Sequence, residues 1–549
     1  MIIKSTNLNL SLIKKLKSFF STFFKFVGIF FSTLIIIFIL FFYNSGLSKT
    51  YSLGEFFNQM NTKVLDRYMG LNFLKMSEYI NIYKLRFKAL IFKPKLENIY
   101  LDISQKTILN LEIQKKIKSE SNNFEIPKKY FQMFPATLRH NEEKYKVKIR
   151  LKGDRRIHWS KRDERSYKID IRGNSRLFGL EEFSLQKPLT KNYTYELIFH
   201  KLLKYVDLIN IKYFLINLHI NNENLKAYAL EEGFSRELLE RQKKPNGPIF
   251  SVNEILGEYY PNIDYEIYSK KFWMEKSPKL IENLFLNLNN IKMGSSHINY
   301  HFDIDKWAKY FAIVDLTGSY HGSLSKSVKL YYNPLSKKFE PIGYDAHYTK
   351  GNFDNFIILD FLQENPKCSW ICEQKIWYLK FLKENNEELN SLFLKKYISY
   401  LNEFTSDKFL KNFYKINNDD IEKFNLIVYS EKSKADKISW KGIGPFVYDK
   451  DILFERAKLI KSRINSVNLD DIRISYYDKN LIFEDNTYSN FPIRALSINC
   501  TTKDKEKDYF FAGSMKIKWQ NSCKELKFTD YKNNSKKLII KNNISINYD

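Results

Sequence analysis

The sequence predicts an α+β fold that follows one N-terminal transmembrane helix and ends in a small β-rich domain. Three observations predict it. Residues 26–43 form an apolar run without a charge, residues 136–470 combine alternating strand-like runs with helical patterns, and residues 471–549 carry only short strand-like runs. A chain of 549 residues is long enough for several domains with sizeable cores.

Composition narrows the classes of partner. Hydrophobic residues make up 44% of the chain, which argues against wholesale disorder. The formal net charge of +27 comes mostly from dispersed lysines, and no zinc-finger spacing, ribonucleoprotein motif or long arginine stripe accompanies it. We therefore expect contact with an acidic surface, such as anionic lipid or polysaccharide, and do not expect nucleic acid as a partner.

The N-terminus predicts a membrane anchor. Residues 1–25 are basic and only Lys49 follows the apolar run closely, so the positive-inside rule places residues 1–25 in the cytoplasm and the bulk of the chain outside it. A secretory signal peptide is the alternative, although no clear small-x-small cleavage site follows. The expected location is a bacterial cell membrane, crossed once at 26–43.

Residues 44–135 are irregular in pattern and are interpreted as a stalk and lead-in segment without visible chemistry, with helices at 51–69 and around 109–117. From residue 136 the pattern changes. Apolar and basic residues alternate over 145–152, and a second alternating run at 167–171 places Lys168 on its polar face. A hairpin over 213–230 then leads to Glu231 and Glu232.

The segment 305–347 contains a helix, a polar loop and a hairpin. The helix is predicted over 305–317 with Asp305 as its N-cap and Gly318 at its end. Two strands are predicted at 328–332 and 339–344, and Asp345 follows the second directly. Residues 352–468 are mainly helical, and Asp315 is expected on a polar helix face.

Four cysteines are too few for a disulfide-stapled fold. Cys368 and Cys372 are predicted to be two buried small apolar residues without a bridge between them. Cys500 and Cys523 lie in the strand-rich tail, where they pair if that tail is in an oxidising space.

Phosphoryl transfer needs a lysine for nucleotide phosphates, an acid that orients it and further acids for magnesium. The residue types of a phosphoryl-transfer site occur in the expected order along the chain in Lys168, Glu232 and Asp345. A strand lysine in a chain with 89 basic residues is also typical of a solvated face, so spacing alone is a weak signal.

Several motifs in order resemble the spore-coat H (CotH) kinase-like family of atypical kinases over roughly 145–350. They are RLKGD at 150–154, SYKIDI at 166–171, GLEEFSLQKP at 179–188, AYALEEGFSRELLE at 227–240 and LYYNPLSKKFEPIGYDAH at 330–347. The resemblance implies a two-lobed, atypical protein-kinase-like domain over 136–470, ATP with Mg²⁺ or Mn²⁺ as cofactors, and phosphate transfer to a protein.

The resemblance also implies site residues. Lys168 falls at the position of the nucleotide-binding lysine, and Glu232 matches the acid after the Gly-x-Tyr strand, although Lys226 replaces the usual glycine. Asp345 matches the first acid of the Trp-Asp-x-Asp metal motif. Arg150 and Asp154 either line the nucleotide cleft or form a surface pair beside Gly153.

Three positions depart from the family pattern. His321 and Ser327 stand where an aspartate and an asparagine are usual, and His347 replaces the second acid of the metal motif. His321 is interpreted as a general base or as a residue that hydrogen-bonds the loop backbone. His347 is either a metal ligand beside Asp345 or a structural residue, because imidazole is a poor magnesium ligand.

The leading hypothesis is a membrane-anchored atypical kinase that transfers phosphate from ATP to an envelope protein or another envelope acceptor. A non-catalytic, pseudokinase-type envelope scaffold is the alternative. A metal-dependent hydrolase acting on envelope polymer, with His321, Asp345 and His347 as a two-His-one-carboxylate site, is a third.

Overall fold

A computed structural model of the chain describes residue 33 and residues 76–92, 94–120, 132–153, 156–159, 164–252, 265–346, 355–363, 366–384, 388–431, 450–466, 469–485, 494–500, 503–511, 514–518, 525–530, 535–541 and 544–545. The chain divides into two compact units, Met1–Asn81 and Ile82–Asp549. Every described strand belongs to the second unit. The transmembrane segment predicted at 26–43 lies outside the described residues except for Thr33, as does the helix predicted at 51–69. None of the helices in the described part of the chain is long and apolar enough to cross a membrane.

Seven strands close into a barrel in the order β1-β2-β3-β4-β5-β7-β6. Neighbouring strands are antiparallel except for β1 and β6, which run parallel with Asn98 opposite Asn217. The barrel strands are β1 (Asn98–Asp102), β2 (Phe134–His140), β3 (Glu143–Leu151), β4 (Tyr167–Ile171), β5 (Glu182–Gln186), β6 (Tyr213–Ile220) and β7 (Glu223–Glu232).

The closed barrel contradicts the predicted fold class, an α+β two-lobed kinase-like domain after a stalk. Part of the segment interpreted as a stalk and lead-in, 44–135, supplies β1 and the first residues of β2, and β1 closes the sheet against β6. The parallel pairing joins residues that lie 119 positions apart (98 and 217), so no local sequence pattern predicts it. The helix predicted around 109–117 is present as Gln105–Glu120.

The barrel interior is filled by alternate residues of its strands. In β3 the side chains of Tyr145, Val147, Ile149 and Leu151 are buried while the intervening lysines are exposed, as the alternation predicts. Buried aliphatic and aromatic side chains from the other barrel strands complete this core, among them Ile99, Leu101, Ile169, Phe183, Leu185, Ile216, Leu218 and Leu230.

A four-stranded sheet and a set of helices form the second core. The sheet has the order β11-β10-β8-β9, with β8 at Ile249–Val252, β9 at Tyr265–Ile267, β10 at Lys329–Asn333 and β11 at Lys338–Ile342. The described helices are α1 (Met76–Phe92), α2 (Gln105–Glu120), α3 (Thr194–Tyr205), α4 (Arg236–Arg241), α5 (Lys270–Lys276), α6 (Pro278–Lys292), α7 (Ile298–His301), α8 (Ile304–Thr317), α9 (Lys375–Leu382), α10 (Ser391–Phe404), α11 (Asp407–Glu431) and α12 (Asp451–Asn465). Short 3-10 turns lie at Arg156–His158, Pro188–Lys191, Tyr320–Ser323, Ile358–Leu362, Ser369–Gln374 and Leu469–Asp471.

Helix α8 is the centre of this core and follows the prediction in type and extent. Its N-cap is Asp303, whose side chain accepts from the Lys306 N–H at 3.2 Å, and not Asp305 as predicted. Gly318 ends the helix with φ 64°. The predicted hairpin is present, but its second strand ends at Ile342, so Asp345 lies three residues beyond the strand.

Asp315 in α8 is fully buried and does not lie on a polar helix face as predicted. Its carboxylate accepts from the Tyr320 hydroxyl at 2.8 Å, from the Ile358 N–H at 3.0 Å and from the Tyr397 hydroxyl. Because burial raises the cost of its charge, the pKa of Asp315 is raised to about 7.

The C-terminal strands form an eight-stranded sheet in the order β15-β14-β17-β18-β19-β12-β13-β16. The strands are β12 (Ile472–Tyr477), β13 (Asn480–Asp485), β14 (Arg494–Cys500), β15 (Lys503–Phe511), β16 (Ser514–Lys518), β17 (Glu525–Asp530), β18 (Ser535–Lys541) and β19 (Ile544–Ser545). Buried residues such as Ile474, Phe483 and Phe528 give this sheet a core of its own.

Cys368 and Cys372 form a disulfide, which corrects the prediction of two separate thiols. Their Cα atoms lie 5.1 Å apart, because a 3-10 turn over Ser369–Gln374 brings them together. Cys523 lies outside the described residues, so its predicted pairing with Cys500 stays a prediction.

Candidate active site

The outer face of the barrel carries a row of polar side chains at one level, which we name the outer row. Pairing between neighbouring strands joins its members in turn, Arg150 to Lys168, Lys168 to Ser184, Ser184 to Glu231 and Glu231 to Tyr213. Because side chains directly opposite each other share a face, all five point away from the barrel core. The outer row therefore consists of Arg150, Lys168, Ser184, Glu231 and Tyr213.

Two of the predicted nucleotide-binding residues have separate partners. Lys168 Nζ lies 2.6 Å from Glu182 Oε1, and Glu232 accepts from both Arg241 Nε at 3.1 Å and Arg241 Nη2 at 2.6 Å. The pair that the sequence predicts between Lys168 and Glu232 is therefore not formed. The residue of β7 that shares a face with Lys168 is Glu231.

Arg150 lies on the outer row opposite Lys168 and donates from Nη1 to the Leu151 carbonyl at 2.9 Å. Both Arg150 and Glu182 act electrostatically on the hydroxyl of Tyr268, the residue after β9. Arg150 therefore lies at the end of the outer row that is close to Tyr268.

Asp345 lies where the chain leaves the four-stranded sheet, with a left-handed backbone at φ 60°. Its Oδ1 accepts from Lys191 Nζ at 2.5 Å. Lys191 comes from the 3-10 turn after β5 and its side chain is only 3% exposed. Burial opposes the lysine charge, but Asp345 and further acidic groups outweigh it and raise the pKa of Lys191 well above its ordinary value.

Glu231 joins the outer row to this ion pair. Its Oε2 accepts from Gln186 Nε2 at 2.8 Å and lies 3.7 Å from Lys191 Nζ, while its Oε1 accepts from Lys152 Nζ. Burial favours the protonated acid, yet Lys152 and Lys191 overcome it and lower the pKa of Glu231 to about 2. We name Lys152, Lys191, Glu231 and Asp345 the lysine–carboxylate cluster.

A third lysine approaches the cluster through an aromatic ring. The ring of Tyr344 has three lysines near it. Lys191 Nζ lies 4.1 Å from the ring centroid, Lys329 Nζ 5.3 Å and Lys152 Nζ 5.7 Å. Burial lowers the pKa of Lys329 to about 8 and also lowers that of Lys152. Three cationic side chains thus surround Tyr344, against the two carboxylates of Glu231 and Asp345.

His321 completes the site from the loop after α8. Its Nδ1 lies 3.0 Å from the Asp345 carbonyl oxygen and 3.2 Å from Asp345 Oδ2. Both neighbours are acceptors, so they select the tautomer in which Nδ1 carries a proton. The structure therefore brings together the two residues predicted to be catalytic.

The loop that carries His321 is held close to the Asp345 turn. The Tyr310 hydroxyl donates to the Gly322 carbonyl at 2.7 Å, and a Cβ on Gly322 would lie 3.1 Å from the Tyr344 carbonyl oxygen. Ser327, which the resemblance compares with an asparagine, is buried further along the same loop. The exposed indole of Trp370, inside the disulfide loop, lies 5.7 Å from His321 between ring centroids.

Glu196 positions the Asp345 turn from inside α3. Its fully buried carboxylate accepts from the N–H of Asp345 at 3.1 Å and from that of Ala346 at 2.9 Å. His200, one turn later in α3, places Nε2 3.2 Å from Glu196 Oε1. Two main-chain donors and an imidazole thus hold this carboxylate, which in turn holds Asp345 in its left-handed conformation.

The resemblance to the CotH family implies a metal ion, which does not fit the described carboxylates. Asp345 faces Lys191 and His321, and Glu231 is held by Lys152 and Gln186, so each acid already meets a cation or donor. Across the described residues no group of three or more His, Cys, Asp and Glu side chains could hold a metal ion. His347, the second predicted ligand, lies outside them.

Phosphate groups do fit the site. Lys152, Lys191 and Lys329 lie around the Tyr344 ring. Glu231 binds the ammonium group of Lys152, and Asp345 binds that of Lys191. An ammonium offers three donors, so a lysine bound to one carboxylate can also donate to a phosphate oxygen. The side chains of Asp345 and His321 remain 24% and 17% exposed, so the site is open to solvent.

Sequence reasoning missed several residues in and around the site, namely Lys152, Lys191, Glu196, His200, Glu231 and Lys329. Glu231 could have been found from strand alternation, since Leu230 faces the barrel core and its neighbour must face outward. Glu196 and His200 carry the i, i+4 spacing that places side chains on one helix face. Lys191 lies in a 3-10 turn and carries no periodic signal.

A comparison of the chain with protein-family models and with curated protein sequences gives no match.

Proposed function

We propose that the chain is a phosphotransferase that moves the γ-phosphate of ATP onto a hydroxyl group of an envelope protein or another envelope acceptor. The observation that carries this proposal is the contact of one aspartate, Asp345, with both a buried lysine and a histidine. Lysines that bind phosphate beside a histidine poised to accept a proton are the groups that phosphoryl transfer requires. The ordered motifs that resemble the CotH kinase-like family support the same chemistry.

His321 acts as the general base. The acceptor hydroxyl gives its proton to His321 Nε2 while its oxygen forms the bond to the γ-phosphorus. The bond from that phosphorus to the β–γ bridging oxygen breaks, and ADP leaves with the electron pair. Asp345 holds the Nδ1–H of the ring and stabilises the imidazolium that forms, in the manner of an aspartate in a catalytic triad.

Lys191 and Lys152 bind the transferring phosphate and offset the charge that develops on it. Their positions are set before any ligand arrives, because Asp345 and Glu231 hold their ammonium groups. Lys329, whose pKa of about 8 leaves it largely protonated at neutral pH, adds a third cation 5.3 Å from the centroid of the Tyr344 ring. No step is assigned to a metal ion of the protein.

The proposal includes a location at a bacterial membrane, with the site outside the cytoplasm. The basic N-terminus and the apolar run at 26–43 support an anchor of this orientation. The Cys368–Cys372 disulfide supports it as well, because disulfides persist in oxidising compartments.

The test is phosphate transfer from γ-labelled ATP by the full chain to envelope extract, and to itself. We expect labelled product from the wild type, none from Lys191→Ala, and a clear residual activity from Lys168→Ala, whose charge is paired with Glu182. Transfer that depends on Lys168 but not on Lys191 would overturn the assignment of the phosphate-binding lysine. Absence of transfer and of ATP binding in the folded wild type would leave the non-catalytic scaffold.

A further inference from the structure

A second cavity, separate from the lysine–carboxylate cluster, opens beside α3. Its volume is about 880 Å³, within the range of small-molecule sites. Residues of α3, α11, β6 and the turn at 207–212 line it, and none of the four residues of the cluster does.

The cavity is strongly basic. Seven lysine or arginine side chains line it against two acidic ones, Asp207 and Asp420. Lys201 is paired with Asp420 at 2.7 Å, and Arg241 is paired with Glu232. Lys204 and Lys423 add charge from α3 and α11, so the lining retains a surplus of positive charge that favours an anion.

Two polar groups without a partner in the described ranges are buried behind the lining of the cavity. His200 is 4% exposed, its Nε2 meets Glu196, and its Nδ1 has no hydrogen-bond partner among the described residues. The hydroxyl of Tyr213, another lining residue, is likewise buried without a partner in the described part of the chain. Neither atom is exposed to the cavity, so the lysines of the lining, and not these two groups, favour an anionic ligand.

His200 also connects this cavity to the active site. Glu196 accepts from His200 on one side and from the N–H groups of Asp345 and Ala346 on the other. A ligand that moves the His200 ring therefore changes the hydrogen bonds that hold the Asp345 turn. Apolar side chains such as Leu197, Ile211 and Phe424 share the lining, which suits a ligand with an apolar part as well.

We propose that this cavity is a second ligand site, which takes a small polyanionic molecule carrying phosphate groups, and that His200 and Glu196 connect its occupant to the turn that holds Asp345. The ligand's phosphates meet Lys204 and Lys423. None of the four residues of the lysine–carboxylate cluster lines this cavity, so ligand binding here does not depend on phosphoryl transfer at the cluster.

Binding is tested with inorganic pyrophosphate as the probe on the full chain, read by amide hydrogen exchange. We expect pyrophosphate to slow exchange in the turn at 207–212, with roughly tenfold or more weaker affinity in the double variant Lys204→Ala/Lys423→Ala. The matched control is Lys271→Ala/Lys411→Ala, which removes the same charge from exposed sites and should bind like the wild type. Unchanged exchange at 207–212, or equal affinity in the cavity variant, would overturn the site.

The connection to Asp345 is tested in the same experiment. Pyrophosphate at concentrations that protect the turn at 207–212 should also change exchange at the amides of Asp345 and Ala346, and this change should be lost in the double variant Lys204→Ala/Lys423→Ala. A change of the same size in the double variant would mean that pyrophosphate acts at the lysine–carboxylate cluster directly, and would overturn the connection. Because exchange is measured without turnover, a failed phosphotransferase assay leaves these outcomes readable.

Discussion

Lys191 Nζ and Asp345 Oδ1 lie 2.5 Å apart, although 154 residues separate them in the chain. The lysine leaves the barrel after β5, and the aspartate follows the last strand of the four-stranded sheet. This ion pair therefore fastens the barrel to the sheet at the point where the candidate site lies.

The first prediction concerns this pair. Lys191→Met leaves Glu231 and Asp345 with less compensating charge in a mostly buried place, so we expect a loss of about 3 kcal/mol in the free energy of unfolding, measured with urea. Lys168→Met, at a partly exposed pair, should cost less than about 1 kcal/mol. The double variant Lys191→Met/Asp345→Asn should recover part of the loss, and strictly additive effects would contradict a direct interaction.

The second prediction concerns His321. Replacing it with Gln removes the proton acceptor but retains a polar side chain, so we expect kcat for phosphate transfer to fall by roughly 10²–10⁴ while the KM for ATP changes little. His301→Gln is the matched control, because that ring binds Ser296 and lies outside the site. A variant His321→Gln that keeps full kcat would show that the histidine only hydrogen-bonds its loop.

The third prediction concerns divalent metal. Since both oxygens of Asp345 face protein groups, we expect ATP to bind to the full chain in EDTA with an affinity less than roughly tenfold below that in magnesium. Isothermal titration calorimetry measures both values. ATP binding that disappears in EDTA and is restored by magnesium would mean that the metal displaces Lys191 from Asp345.

Local features of the fold followed from sequence patterns. The helix α8 with its Gly318 end, the hairpin of β10 and β11 and the basic face of β3 agree with predictions from periodicity and turn residues. The barrel does not follow from sequence patterns. Its closure depends on the parallel pairing of β1 with β6, which is a contact between distant segments. Local patterns specify elements, whereas closure depends on tertiary packing.

The candidate site divides in the same way. His321 and Asp345 were predicted and lie in contact. The motif position indicates Glu232 as the site acid, whereas strand alternation places Glu231 on the outer row. The sequence does not identify Lys191 as a site residue, because a short 3-10 turn has no periodic pattern. Its role follows only from its contacts with Glu231 and Asp345, which are distant in the chain.

The fourth prediction concerns the buried acid Asp315. Its pKa is raised to about 7 in the folded protein by burial, whereas an unfolded aspartate has a pKa of roughly 4, so between these values the folded state binds the extra proton. The stability that Asp315 contributes is therefore fully present below about pH 4 and is lost as pH rises through about 7, with a slope of up to about 1.4 kcal/mol per pH unit.

Asp315→Asn imitates the protonated acid, because an amide oxygen still accepts from Tyr320 and from the Ile358 N–H. We expect the variant to lack this slope, so that wild type loses stability relative to it as pH rises from 4 to 7 in urea unfolding. Asp305→Asn is the control of opposite sign: burial opposes its charge, but hydrogen bonds from Lys396 and Tyr400 lower its pKa, so that the wild type should lose stability relative to it as pH falls. Parallel pH profiles for wild type and Asp315→Asn would show that this carboxyl group titrates alike in the folded and unfolded chain.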